Sequence, residues 1–230
     1  MSDDVTPAEM MAVAIARRLR DGETIAVGSV SPIPASACLL AQARHAPRAR
    51  LLLLGSAEHF PFDGGLQEFY NFAVRGGLDV FFASGAQIDQ HGNFNLSLIG
   101  DPARPRIRLP GGRANGVLAF VARRLILFRT RHERHVFVPR VDFVTAPGTT
   151  PPGVYRLGGL EAVVTDLAVL EWSRARGRLE LGSLHPGVTL EADAPVPVTA
   201  PPEPGELALL RGAVRERLET FYPEFVRRQG

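Results

Sequence analysis

The chain has 230 residues, 45% hydrophobic and 22% charged, with a net charge of +2. That length supports a sizeable core, and no apolar run approaches the roughly 18–20 residues needed to span a bilayer. Its basic residues are all arginine, which excludes a Schiff-base or phosphate-loop lysine, and the small charge excess argues against nucleic acid as a partner.

The chain opens on Met1-Ser-Asp-Asp-Val, which is acidic and unlike a secretory signal. Thr6-Pro-Ala-Glu9 is a capping start for a helix reaching Leu19, with Met10, Val13, Ile15 and Leu19 at apolar positions. Thr24–Val27 reads as a short buried strand, and Pro34–Arg44 as a helix broken by Pro47. That helix carries Cys38, the single cysteine, which excludes an internal disulfide and suits a reducing compartment, so a soluble cytoplasmic protein is expected. Arg50–Leu54 is the next strand, Leu66–Val74 a helix and Asp79–Ala83 a strand. This order predicts an α/β fold with a parallel sheet and right-handed crossovers.

The turn Gln90-His-Gly-Asn93 leads to a strand over Phe94–Leu98, and Pro102–Pro110 is an extended Pro/Arg-rich connection. A helix over Gly116–Ala122 precedes strands at Leu125–Phe128 and Phe137–Pro139, which flank a charged turn. Gly148–Gly159 is a long loop; Ala162–Thr165, Leu167–Leu170 and Leu179–Leu181 are further strand material. Five prolines between Ala194 and Pro204 read as a linker before a helix from Glu206 to Val226, interrupted at Pro223. The expected organisation is one α/β domain over 1–192, then a Pro-rich linker and C-terminal helix over 193–230.

Polar groups just past the carboxyl end of a parallel strand sit where open α/β sheets bind ligands. After the leucines 51–54 that place holds Gly55, Ser56 and Glu58. Gly111 and Gly112 would let a ligand approach the backbone, and the N-terminus of the helix that follows offers N–H donors to an anionic group such as a carboxylate. A tight loop–helix turn without ligand is the plainer alternative. Asn93 and Asn95 flank Phe94; Asn93 suits the turn, and Asn95 could donate to developing charge on a substrate. Gln87 and Asp89 would fix the geometry of the same segment. His132 and His135 flank Glu133 among arginines with no cysteine nearby, so no metal is expected. His185, in a His-Pro-Gly sequence, could serve as a base or close a turn.

Four segments together resemble the β subunits of family I CoA-transferases: Ser84–Asn95, Gly111–Asn115, Val163–Leu170 and Leu184–Thr189. The resemblance runs from about Thr24 to Glu191. It implies an open, mostly parallel sheet flanked by helices, of the NagB/RpiA/CoA-transferase kind, and transfer of CoA between carboxylic acids. It implies a coenzyme A thioester as substrate with no permanently bound cofactor. A homologous α subunit would be the partner in a hetero-oligomer, α2β2, with neither nucleic acid nor membrane involved. The family places a nucleophilic glutamate at the strand end, and the position reads Gly55 here. Glu58, three residues on, either replaces it or is a solvated loop residue; Ser56 has no evident base. A related two-subunit hydrolase of steroid catabolism draws its essential carboxylate from the α subunit. Hydrolysis or C–C cleavage of a CoA thioester is therefore an alternative, as is a non-catalytic scaffold. The catalytic candidates are Glu58, Ser56 and Asn95; Gly55, Asn93, Gly111, Gly112 and Asn115 would bind acyl-CoA.

Overall fold

The structure, a computed structural model, describes residues 4–56, 58–190 and 195–228. Helix α1 (Pro7–Ala16) starts at the expected capping box: the Thr6 hydroxyl accepts from Glu9 N, and the Glu9 carboxylate accepts from Thr6 N. Past Ala16 the bonds tighten to the i−3 carbonyl at Arg18 and Leu19, which ends the helix short of the predicted Leu19. Strand β1 (Thr24–Val27), helix α2 (Pro32–Arg44) and strand β2 (Arg50–Leu53) follow. Helix α2 begins on Pro32, because the first helical position needs no N–H. Helix α3 (Gly65–Phe72) continues as a looser turn to Gly77 and leads to β3 (Val80–Ala83).

Next come four two-residue strands, β4 (Gln87–Ile88), β5 (Phe94–Asn95), β6 (Leu98–Ile99) and β7 (Ile107–Arg108). They form two small hairpins, β4 with β5 and β6 with β7. The single strand predicted over Phe94–Leu98 is thus broken in two. The cause is local: the Asn95 side chain accepts from the N–H groups of Ser97 and Leu98, which folds the chain into a turn. The connection predicted as simply extended contributes β7. Helix α4 (Asn115–Val121), strands β8 (Arg124–Arg129), β9 (Gly159–Thr165), β10 (Ala168–Ser173) and β11 (Arg178–Leu184), and helices α5 (Pro204–Leu209), α6 (Arg215–Phe221) and α7 (Pro223–Arg228) complete the order. Phe137 is not in a strand; it makes one bridge to Ile88 and stacks on His132.

The main sheet has the order β11-β10-β9-β8-β3-β1-β2. Strands β2, β1, β3, β8 and β9 are parallel, and β10 and β11 add an antiparallel edge. Alternation along the strands makes two cores. Ile25, Val27, Leu51, Leu53, Val80 and Phe82 face α1, α2 and the C-terminal helices. Ala26, Leu52, Phe81, Leu125 and Leu127 face Phe69 of α3, Leu118 of α4 and Phe94. Leu210, Val214, Leu218 and Val226 are buried in the first core, so the tail helices pack on α1 and α2. Arg17 pins this tail through Glu206, whose side chain is 2% exposed, and Arg211 pins it through Glu9. The predicted boundary at 192/193 lies outside the described residues.

Candidate active site

Because β1, β2, β3 and β8 run in parallel, their carboxyl ends share one edge of the sheet. Beyond β2 the chain makes a closed turn. Leu53 N donates to His59 O at 2.9 Å, Ser56 N to Leu53 O at 3.1 Å, and His59 N to the Ser56 hydroxyl at 3.2 Å. Gly55 sits at φ 89°, in the left-handed region that side-chain-bearing residues rarely adopt. A β-carbon there would also meet the Ser29 β-carbon at 3.4 Å. This backbone therefore disfavours a glutamate at position 55. Past the turn, Phe60 and Phe62 pack on each other at 5.0 Å and on Phe69 of α3 at 5.4 and 5.3 Å, anchoring its far end.

The turn opens onto a cavity of about 370 Å³ lined by Gly55, Ser56 and Glu58, by Ser29 from the loop after β1, and by Thr220–Tyr222 from the tail. Glu58 is 66% exposed, whereas the adjoining His59 side chain is 15% exposed. The His59 Nε2 atom is buried with no hydrogen-bond partner among the described residues, 3.8 Å from Glu58 Oε1. The ring packs on Phe221 with centroids 4.9 Å apart. Tyr222 donates its hydroxyl to Gly28 O at 3.1 Å, and burial pushes its phenol up to about 12, so it stays a neutral donor. The cavity thus offers an accessible carboxylate next to an imidazole, closed on one side by aromatic rings.

The other five candidates form a separate cluster, reached through the loop after β3, and none of them lines this cavity. Asn95 is fully buried and its amide is saturated. It donates to Gln87 Oε1 at 2.8 Å and Leu98 O at 2.5 Å, and accepts from Ser97 N and Leu98 N. No donor is left over for a substrate. Asn93 serves the turn, donating to Asp89 Oδ2 and accepting from Gly148 N. Gly111 N donates to Leu96 O, and Asn115 caps back onto Gly112 O at 2.7 Å. Gly112 presses on Thr145: a β-carbon would lie 2.3 Å from its methyl.

The histidines singled out by the sequence are structural in their contacts. His185 is buried, with Nε2 against Thr165 O at 2.8 Å and Nδ1 near the Thr199 hydroxyl. Burial lowers its pKa, partly offset by the Thr165 carbonyl and Asp166. His132 lies against Thr165 Oγ1 and is likewise lowered by burial. Among the described residues no group of His, Cys, Asp or Glu is placed to hold a metal ion, and no helix is long and apolar enough to cross a membrane.

The family described as coenzyme A transferase matches residues 55–192. The chain is 33% identical to the B-type subunit of 3-oxoadipate CoA-transferase from Pseudomonas knackmussii, over 80% of its own length and 79% of the relative's. The chain belongs to the coenzyme A transferase family. It is also 29% identical to the B-type subunit of glutaconate CoA-transferase from Acidaminococcus fermentans, covering 90% of this chain and 91% of that one. Identity to the cholesterol ring-cleaving hydrolase IpdB subunit of Rhodococcus jostii is 27%, over 93% and 94%. The crystal structure of the Acidaminococcus glutaconate CoA-transferase shares the fold with a TM-score of 0.78, over 91% of this chain and 94% of that one, at 24% identity.

The family match begins at Gly55 and takes in both the turn and the asparagine–glycine cluster. It stops before the tail, so the aromatic wall Thr220–Tyr222 lies outside the matched segment. Sequence reasoning passed over one residue that lines this cavity, Tyr222, and one that stands beside its carboxylate, His59. His59 adjoins Glu58 and could have been weighed with it. Tyr222 is 194 residues from the carbonyl it binds, and no local pattern brings the two together.

Proposed function

We propose that the chain is the β-type subunit of an enzyme that moves CoA between carboxylic acids, with a homologous α subunit completing the acyl-CoA site in an α2β2 assembly. The cytoplasm, where acyl-CoA would be met, is part of this reading. The observation that carries it is the Glu58 carboxylate, set in a cavity at the carboxyl end of β2 in a chain of the coenzyme A transferase family. Glu58 is the nucleophile. One of its oxygens adds to the thioester carbonyl and expels CoA thiolate, leaving a mixed anhydride. The thiolate then attacks the glutamyl carbonyl and releases the first carboxylate. The acceptor carboxylate reverses both steps and leaves as its CoA thioester. Covalent capture splits one exchange into two easier ones. Gly55 shapes the turn and Ser56 closes it, while Asn93, Asn95, Gly111, Gly112 and Asn115 hold the separate loop cluster in shape.

A second reading, hydrolysis of a CoA thioester by the assembled pair, is favoured by the absence of a carboxylate at position 55. The likeness to a ring-cleaving hydrolase subunit agrees with it. Mass spectrometry of the co-expressed complex after acyl-CoA and borohydride separates the two. Transfer predicts reduction of a glutamyl thioester to an alcohol at Glu58. An unmodified Glu58 with free CoA accumulating would move the chemistry to hydrolysis.

A further inference from the structure

Building on the reading of Glu58 as nucleophile, we propose that His59 is its positioning residue: the ring Nε2–H holds one carboxylate oxygen of Glu58 and leaves the other aimed at the thioester carbonyl. The argument starts from an anomaly. His59 Nε2 is buried and unpartnered among the described residues. Buried polar atoms in folded proteins are nearly always hydrogen-bonded, and an exception calls for an explanation. The acceptor recorded near it is Glu58 Oε1, at 3.8 Å. That is about 1 Å beyond a charge-assisted hydrogen bond.

Of the two side chains, only the carboxylate is free to close that gap. The His59 backbone is fixed on both sides, its N–H on the Ser56 hydroxyl and its carbonyl on Leu53 N, and its ring is packed against Phe221. Glu58 is two-thirds exposed and has no other polar contact among the described residues. Tyr222, the other ionisable group lining the cavity, is committed to Gly28 O. Desolvation by bound acyl-CoA would strengthen the Glu58–His59 attraction, because the exposed carboxylate would lose its competing water while Nε2 is already shielded. The carboxylate would then lose its rotational freedom before the chemical step, which is the kind of orientation that lowers a barrier. The tail is part of this device, since Phe221 is what keeps the imidazole from turning away.

Two substitutions in the α–β complex separate donation from packing. His59→Phe keeps a ring on Phe221 and removes the N–H; His59→Gln keeps an N–H at similar reach. Loss of one hydrogen bond to a charged group predicts that His59→Phe lowers kcat roughly 10- to 100-fold. Its KM should stay within about threefold, as expected when substrate binding is not what was removed. His59→Gln should recover most of the rate. A Phe variant with wild-type kcat, or a Gln variant as slow as Phe, overturns the proposal. If the Phe variant does not assemble, a crystal structure of the wild-type complex with acyl-CoA decides: Nε2 within about 3.2 Å of the Glu58 carboxylate is expected, and a ring nitrogen bonded elsewhere refutes it. Should borohydride find no adduct on wild-type Glu58, the nucleophile reading fails, while this contact is still scored by that crystal structure.

Discussion

Asn95→Ala tests whether the buried amide belongs to the scaffold or to the chemistry. The substitution removes four hydrogen bonds at a fully buried position. Gln87 Oε1 keeps a partner in Asp142 N, and Ser97 is half-exposed, so its N–H can find water. The buried Leu98 N–H and C=O lose their Asn95 partners. At about 1–2 kcal/mol each, the expected destabilisation is roughly 2–4 kcal/mol. For a chain of this size that corresponds to a melting point lower by about 5–12 °C. Guanidinium unfolding followed by the fluorescence of Trp172, the sole tryptophan, reads the stability. CoA-transfer rates, corrected for the folded fraction, read the chemistry and should stay within about tenfold of wild type if the amide acts only through geometry. The reasoning is refuted by the opposite pattern: unchanged stability with a loss of kcat of about a hundredfold or more, the size expected for removing a transition-state donor.

Gly112→Ala should cost about 1–3 kcal/mol, because its new methyl overlaps Thr145 Cγ2 while hydrogen bonds to Leu96 N and Ser97 pin that side chain. Adding Thr145→Ser deletes the offending methyl and keeps the hydroxyl, so a double-mutant cycle should show most of the loss restored; additive losses would contradict the overlap. Arg124 is 12% exposed and bridges Glu23, Glu161 and Arg18 O, so Arg124→Ala should cost about 3–5 kcal/mol by guanidinium titration. Arg48, paired with Asp21 but 81% exposed, should cost under about 1 kcal/mol in the same experiment. Stability should also fall steadily with acidification. Burial lowers the pKa of His132 and His185, so their neutral forms stabilise the fold above the unfolded value of about 6.5, and that contribution fades below it. Burial pushes Glu161 and Glu206 up, but Arg124 and Arg17 outweigh it and hold both below the ordinary range. Their contribution is full above the unfolded value of about 4.3 and is lost as pH drops through the folded one. A guanidinium midpoint that rises between pH 7 and 5 would contradict this sign.

Much of the architecture could be read from local pattern. The capping box at Thr6–Glu9, the apolar strands Thr24–Val27 and Arg50–Leu53, and the Pro/Gly punctuation between them each act over a few residues, and each appears nearly where expected. What stayed hidden depends on where side chains meet. The pattern around Phe94 suggested one strand with an amide to spare, because nothing in it says that Asn95 spends that amide on Gln87 and Leu98. The tail reads in sequence only as a linker and a helix, since Tyr222 and Gly28 become neighbours only after the first core has formed. Position 55 joins the two kinds of knowledge. As sequence, the resemblance leads one to expect a glutamate at this glycine. As structure, a φ of 89° beside Ser29 is a conformation that suits glycine and strains a residue with a β-carbon. The glycine and the turn go together: a backbone held at φ 89° strains any residue with a β-carbon at 55. Its next carboxylate, at Glu58, falls beside an imidazole that the turn and Phe221 hold fixed.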